Sequence, residues 1–231
     1  MKVGIMQPYL FPYIGYFQLI NAVDKFVILD DVSFIMRGWI NRNRILVNGT
    51  EYLFTIPIKK ASQNKLIFEC EIADGNGREK ILKTIEYSYN KAPHYTECFR
   101  VLASIFSNGE INLSNWLTFQ IKEICNYLNI KTEIVESSRS YNNRHLQAQA
   151  KIIDICIQEG ATSYYNAIGG KGIYDPDDFR KSNIELHFLN SIPEKYNQFN
   201  YEFVPFLSII DVIMFNNVNE IQNQLNKHEL L

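Results

Sequence analysis

Apolar positions in the first thirty residues fall into three groups, each with its own period. Residues 2–6 (KVGIM) form a short apolar run that reads as a buried strand. In YFQLINAVD, the spacing of Phe17, Leu19, Ile20 and Val23 fits one face of a short helix. KFVILDD is then a β-rich run ending in the acids Asp30 and Asp31. Strand, loop, helix and strand over about thirty residues is the size of a βαβ unit. Such a unit belongs to a parallel sheet, whose ligands gather beyond the carboxyl ends of the strands. The loop QPYLFPYIGY and the Asp30–Asp31 pair are both expected at that edge.

The pattern changes between 33 and 73. RNRILVNGTEYLFTIPI alternates with period two around Asn48-Gly49, a hairpin signal. KLIFECEIA reads as a third strand, completing a small antiparallel insertion. Helical periodicity returns over 77–109 and 113–129, with Asn108-Gly109 as a stop and Ser114 as the expected N-cap. KTEIVES is a strand, and LQAQAKIIDICIQEG is an amphipathic helix closed by Gly160. ATSYYNAIGG predicts a strand running into a glycine loop, and IELHFLN a further strand. FVPFLSIIDVIMFN predicts a loop and helix, followed by a polar helix to the end. The alternation predicts one α/β domain over 1–231, with a Rossmann-like parallel sheet, an antiparallel insertion and a helical section near 77–129.

Composition narrows the function classes. A net charge of −2 in 231 residues gives no global field for nucleic acid. Cys70, Cys98, Cys125 and Cys156 are widely spaced, without a CxxC pair or a histidine at zinc-ligand spacing, so no metal is expected. No signal peptide or bilayer-length apolar run is visible, so a cytoplasmic location with reduced thiols is expected.

Four segments concentrate chemistry. The first, QPYLFPYIGYFQ, packs two prolines and five aromatic rings before a helix. Backbone N–H groups at a helix start can face an anion, and Gly15 has no side chain to block it. Gln7, Tyr13, Gly15 and Tyr16 are therefore phosphate-binding candidates. Tyr13-Ile14-Gly15-Tyr16 is similar in position to the His-x-Gly-His motif of the nucleotidylyltransferase superfamily. Both histidines are replaced by tyrosine, which is not a cation at neutral pH and cannot supply their charge.

In the second, DDVSFIMRGWINRNRI, Arg37, Trp39, Asn41, Arg42 and Asn43 offer planar donors and a stacking face for a ligand. If the segment is extended, Trp39, Asn41 and Asn43 share one face, and Arg42 and Arg44 the other. The third is YYNAIGGKGIYDPDDF, where Asn166 and Lys171 are candidate anion contacts. The P-loop spacing is absent, and DPDD is a helix-opening sequence. In the fourth, LSIIDVIMFN, Asp211 stands in an apolar run and needs a partner, for which an arginine is expected. Asp30 and Asp31 are the candidate catalytic carboxylates, and His145, beside Arg144, is the reserve base.

KVGIMQPYLFPYIGYFQLINAVDKFVILDDVSF, RGWINRNRI, YYNAIGG and LSIIDVIMFN together resemble the WbqC-like family over essentially the whole chain. The resemblance implies a place in bacterial surface-polysaccharide gene clusters, notably those for O-antigen. A glycine-to-sugar transferase has been suggested for one member. It thus implies acyl or aminoacyl transfer to a nucleotide-linked amino sugar, with the cofactor left open among acyl-CoA, ATP and an aminoacyl donor. Nucleotidyl transfer and non-catalytic nucleotide-sugar binding are the alternatives. The expected partner is this small molecule, and a homodimer stays open.

Overall fold

The computed structural model describes residues 1–231. In chain order the strands are β1 (Lys2–Met6), β2 (Lys25–Ile28), β3 (Arg42–Val47), β4 (Thr50–Thr55), β5 (Glu133–Val135), β6 (Ser163–Ala167), β7 (Glu185–Ser191) and β8 (His228–Leu230). The helices are α1 (Ile14–Asn21), α2 (Gly77–Tyr89), α3 (Tyr95–Ser107), α4 (Leu113–Tyr127), α5 (Ala148–Gln158), α6 (Pro176–Lys181), α7 (Ile209–Phe215) and α8 (Val218–Leu225). Six strands form one sheet in the order β5-β2-β1-β6-β7-β8, parallel except for β8 at the edge. The architecture is α/β, as the alternation predicts.

The strand order decides where a ligand can sit. From β1 the chain builds outward through β2 and β5, then returns to the other side of β1 for β6 and β7. Successive connections therefore diverge between β1 and β6, leaving a crevice at their carboxyl ends. Helices cover both faces, so the parallel strands are buried on both sides. Phe26 and Ile28 join a core of 45 buried residues shared with α1–α4, α7, α8 and the β3–β4 hairpin. Their neighbour Val27 points the opposite way, into a smaller core with Ile152 and Ile155 of α5 and Phe179 of α6. Because the larger core runs unbroken from sheet to hairpin, the insertion and the helical section pack as one with the sheet.

Local chemistry explains most boundaries. Asn48 (φ 50°) and Gly49 (φ 78°) turn the hairpin in the left-handed conformation that Asn-Gly accommodates. Asp175 caps α6 through the Asp177 N–H, with Pro176 at the first helical position. At the end of α5, Gly160 takes φ 66° and its N–H donates to the Ile157 carbonyl.

Four expectations are corrected. The helical stretch 77–109 divides at 90–94, where Pro93 cannot continue a helix, into α2 and α3. Asn112 rather than Ser114 caps α4, accepting from the Asn115 N–H at 3.1 Å, while the Ser114 hydroxyl turns to Asp30. KLIFECEIA is not a third hairpin strand. The N–H groups of Ile67, Phe68 and Ile72 go to the carbonyls of Val32, Asp30 and Ile111, and 67–69 coil into a 3-10 turn. The last helix stops at Leu225, and β8 pairs with β7, Leu230 opposite Leu189.

Candidate functional site

The loop after β1 divides its side chains between core and solvent. Leu10 and Phe11 are fully buried, and the Phe11 ring stacks on Phe106 at 5.3 Å and meets the edge of Trp116 at 6.2 Å. Phe11 holds φ 40°, a left-handed conformation costly for a bulky residue, so other contacts must hold it. They do. The Phe11 N–H donates to Gln120 Oε1 at 2.7 Å, and Gln120 Nε2 donates to the Tyr9 carbonyl at 3.1 Å. Asn43 Nδ2 donates to the carbonyls of Leu10 (2.9 Å) and Phe11 (2.8 Å), and the Ser208 hydroxyl also donates to Phe11 at 2.8 Å. Tyr9 and Tyr13 are left facing outward.

These two tyrosines form one wall of a cavity of about 270 Å³ at the switch point. Trp39 and Arg44 form a second wall, Ile168 beyond β6 and Phe206 a third, and Asn190 and Ser191 at the end of β7 a fourth. The Phe206 ring stands edge-on to Tyr13 at 6.0 Å. Burial raises the phenol pKa values of Tyr9 and Tyr13, so both stay protonated at neutral pH and act as donors or acceptors, not bases.

Trp39 and Arg44 meet contrary to the expectation that they lie on opposite faces. Residues 35–38 form a turn, with Arg37 at φ 62° and the Gly38 N–H donating to the Ile35 carbonyl, so regular alternation begins only at β3. The guanidinium lies 5.4 Å from the centre of the Trp39 ring, and Nη1 pairs with Glu51 at 2.5 Å. The remaining candidates of this segment do other work. Asn41 donates to the Ile56 carbonyl, Arg42 Nε to the Gly38 carbonyl, and Arg37 is exposed.

Two residues of the cavity wall each hold one buried polar atom without a partner, Arg44 its Nε and Ser191 its Oγ. Only five buried side-chain atoms in the whole chain share that condition. Each such atom costs about 1–3 kcal/mol of desolvation.

The phosphate-binding reading of the opening loop is revised at two positions. Tyr16 is 1% exposed, and its hydroxyl donates to the Gln7 carbonyl at 2.9 Å, so it belongs to the core. A methyl group at Gly15 would stand 2.3 Å from Tyr13 Cε2 and 2.8 Å from Ser191 Cβ. The glycine therefore lets the cavity walls close together rather than opening backbone to a ligand. Gln7 is half-buried and contributes its carbonyl to Tyr16.

The expected carboxylates lie apart from this cavity's lining. Asp30 is fully buried and accepts from the hydroxyls of Ser137 (2.7 Å) and Ser114 (2.9 Å), with Arg139 Nε at 3.5 Å. Asp31 accepts from the Ser138 hydroxyl and from Lys151 Nζ at 2.6 Å, a pair with side-chain exposures of 0% and 4%. Both acids are thus satisfied inside the protein, tying β2 to α4, α5 and the turn at 138–141. His145 is exposed in the turn before α5, which starts two residues later than expected. The Asn166 side chain accepts from the Ala167 N–H and packs under Gly170, and Lys171 is exposed.

Asp211 has no arginine partner. Tyr196 Oη (2.6 Å), Tyr89 Oη (2.7 Å) and Gln198 Nε2 (2.7 Å) all donate to it. Three neutral donors replace the expected cation because hydroxyls and amides satisfy a buried carboxylate without burying a second charge. Burial still raises its pKa above the usual carboxylate value. The cysteines offer no nucleophile, since burial pushes Cys98 up to about 11 and Cys125 and Cys156 to about 12.

Sequence reasoning missed Arg44 as a site residue, and also Tyr9, Asn190, Ser191 and Phe206. Arg44 had a signal, its place beside the Trp39 cluster. The β7 residues had none, because only strand order brings them beside β1.

A parallel sheet with an aromatic-walled cavity at its switch point defines an α/β protein. The chain belongs to the WbqC-like protein family, whose model matches residues 7–223. It is 30% identical over 215 residues to a protein of Mycobacterium tuberculosis (strain ATCC 25618 / H37Rv) named Uncharacterized protein Rv1507c, with 92% of each chain covered. No solved structure matches the chain.

Proposed function

We propose that the protein is a transferase that modifies a nucleotide-linked amino sugar, placing an acyl or glycyl group on the sugar amine. The observation that carries this reading is the switch-point cavity, where the rings of Tyr9, Tyr13, Trp39 and Phe206 stand beside the polar residues Asn43, Arg44, Asn190 and Ser191. Aromatic faces suit the flat side of a sugar or base, and the polar atoms fix its orientation. At about 270 Å³ the cavity falls just below the usual range for small-molecule sites, so it encloses one ring and leaves the rest of a nucleotide sugar at its mouth. The sugar amine would attack the acyl carbon of an activated donor as the donor's leaving group departs, and the nitrogen would lose its proton to solvent at the mouth. Catalysis would come mainly from holding amine and acyl carbon together. Asp30 and Asp31 would act as supports that fix the adjoining loops.

Incubation with a nucleotide amino sugar, and either an acyl-CoA or glycine with ATP, tests the reading by mass spectrometry. A mass gain of one acyl or glycyl group is expected. Pyrophosphate release with a nucleotidylated product would support nucleotidyl transfer instead.

A second reading has its own observation. No carboxylate, imidazole, thiol or amine lines the cavity, which is what a pure binding module would show. Tight binding of the nucleotide sugar, with no mass gain from any donor, would establish it.

A further inference from the structure

Two arginines meet over one ring. Phe68 is half-buried in the 3-10 turn at 67–69, and its N–H donates to the Asp30 carbonyl at 3.1 Å. The guanidinium carbons of Arg139 and Arg144 lie 4.8 and 5.2 Å from the centre of its ring. Asn142, at φ 54°, turns the chain between them, so residues five apart in sequence reach the same platform. An aromatic ring attracts a guanidinium and holds it in place, which reduces the freedom lost when that group binds.

Both cations keep donors to spare. Arg139 Nε donates to Ser137 Oγ at 2.7 Å and lies 3.5 Å from Asp30 Oδ2, while neither of its Nη groups has a partner in the protein. Arg144 is exposed, and no protein group accepts from it. The neighbouring charges are already engaged. Lys151 matches Asp31, Lys122 matches Glu136, and Glu69 turns back to accept from the Leu66 N–H at 2.8 Å. Asp30 is therefore the one carboxylate set against two guanidiniums. Like charges drawn to one ring repel each other, and an anion lying across them removes that cost. A carboxylate satisfies one guanidinium fork, whereas a diphosphate has the charge and the oxygens for two.

The place suits such a ligand. Arg139 and Arg144 follow β5, which pairs parallel with β2, so they stand at the carboxyl edge of the sheet. The switch-point cavity opens at the same edge, and β1 is two strands, or about 10 Å, from β5. We infer that Arg139 and Arg144, mounted on the Phe68 ring, bind a diphosphate group. That the group belongs to a nucleotide sugar rests on the function proposed above, whereas the site itself does not.

Calorimetric titration of the whole chain with inorganic pyrophosphate, in metal-free buffer at fixed ionic strength, tests it. The natural protein should bind pyrophosphate at one site. Arg139→Gln and Arg144→Gln should each raise the dissociation constant about fivefold or more, since each removes donors to a charged group. Phe68→Leu keeps both charges but removes the platform, and should weaken binding severalfold. Arg100→Gln, which takes an exposed arginine from α3, should leave the affinity unchanged. Melting curves show whether each variant is folded. Arg144→Gln, which breaks no hydrogen bond within the protein, decides the matter even if Arg139→Gln or Phe68→Leu loses stability.

Absence of pyrophosphate binding would overturn the inference, as would an affinity unchanged in Arg144→Gln or lowered equally by Arg100→Gln. Pyrophosphate bound through these arginines, with no mass gain from any donor, would leave this inference standing and the transferase reading refuted. Mass gain without pyrophosphate binding would do the reverse.

Discussion

The Arg44 guanidinium, on β3, lies 5.4 Å from the centre of the Trp39 ring, which precedes that strand. The contact builds one wall of the switch-point cavity from a tryptophan that is 43% exposed and an arginine whose Nε is buried. A half-exposed tryptophan adds less to folding than a buried one, and in the function proposed above it is a ligand contact.

Trp39→Ala should therefore weaken nucleotide-sugar binding by at least about fivefold, the effect of losing roughly 1 kcal/mol of ring contact. Its thermal melt should stay close to that of the natural protein. Calorimetric titration beside a melting curve checks both, and unchanged affinity would remove Trp39 from the site.

Gly15→Ala separates helix preference from cavity shape. Alanine is favoured over glycine in a helix by about 1 kcal/mol. Here, however, the added methyl would meet Tyr13 at 2.3 Å and Ser191 at 2.8 Å. The Tyr13 ring should swing away, and ligand affinity should fall even if the helix persists by circular dichroism. Retained affinity would show that Tyr13 does not shape the cavity.

Lys151→Ala should cost about 3–5 kcal/mol, because it leaves the fully buried Asp31 carboxylate without its charge partner. For a chain of this size that is on the order of 10 °C in melting temperature. Replacing both residues, as in Asp31→Leu with Lys151→Met, should cost much less than the two single changes added together. Additive losses would show that the two side chains are not coupled.

Asp211 predicts a pH dependence with a definite sign. Burial raises its pKa in the folded protein above the unfolded value of about 3.9. Its stabilising contribution is then complete below the unfolded pKa and is lost as pH rises through the folded pKa, becoming constant above it. Urea melts at stepped pH should show the natural protein losing stability relative to Asp211→Asn across that acid window. Parallel curves for the two proteins would contradict the raised pKa.

The period of the apolar residues and the turn chemistry determined a good part of this protein. KVGIM and KFVI were legible as buried strands, Asn48-Gly49 as a hairpin turn and DPDD as a helix start, because each depends on residues adjacent in the chain. The position of the opening loop at the carboxyl edge followed from the same local pattern. Tertiary structure decided the rest. Whether KLIFECEIA paired as a strand depended on which distant carbonyls its N–H groups met. Whether Asp211 took an arginine or two tyrosines and a glutamine depended on what lay within 3 Å in space. Ser191 joined Tyr13 because strand order sets β7 on the far side of β6 from β1. Local propensity acts over a few residues, whereas a site closes across more than a hundred, and only packing carries that information.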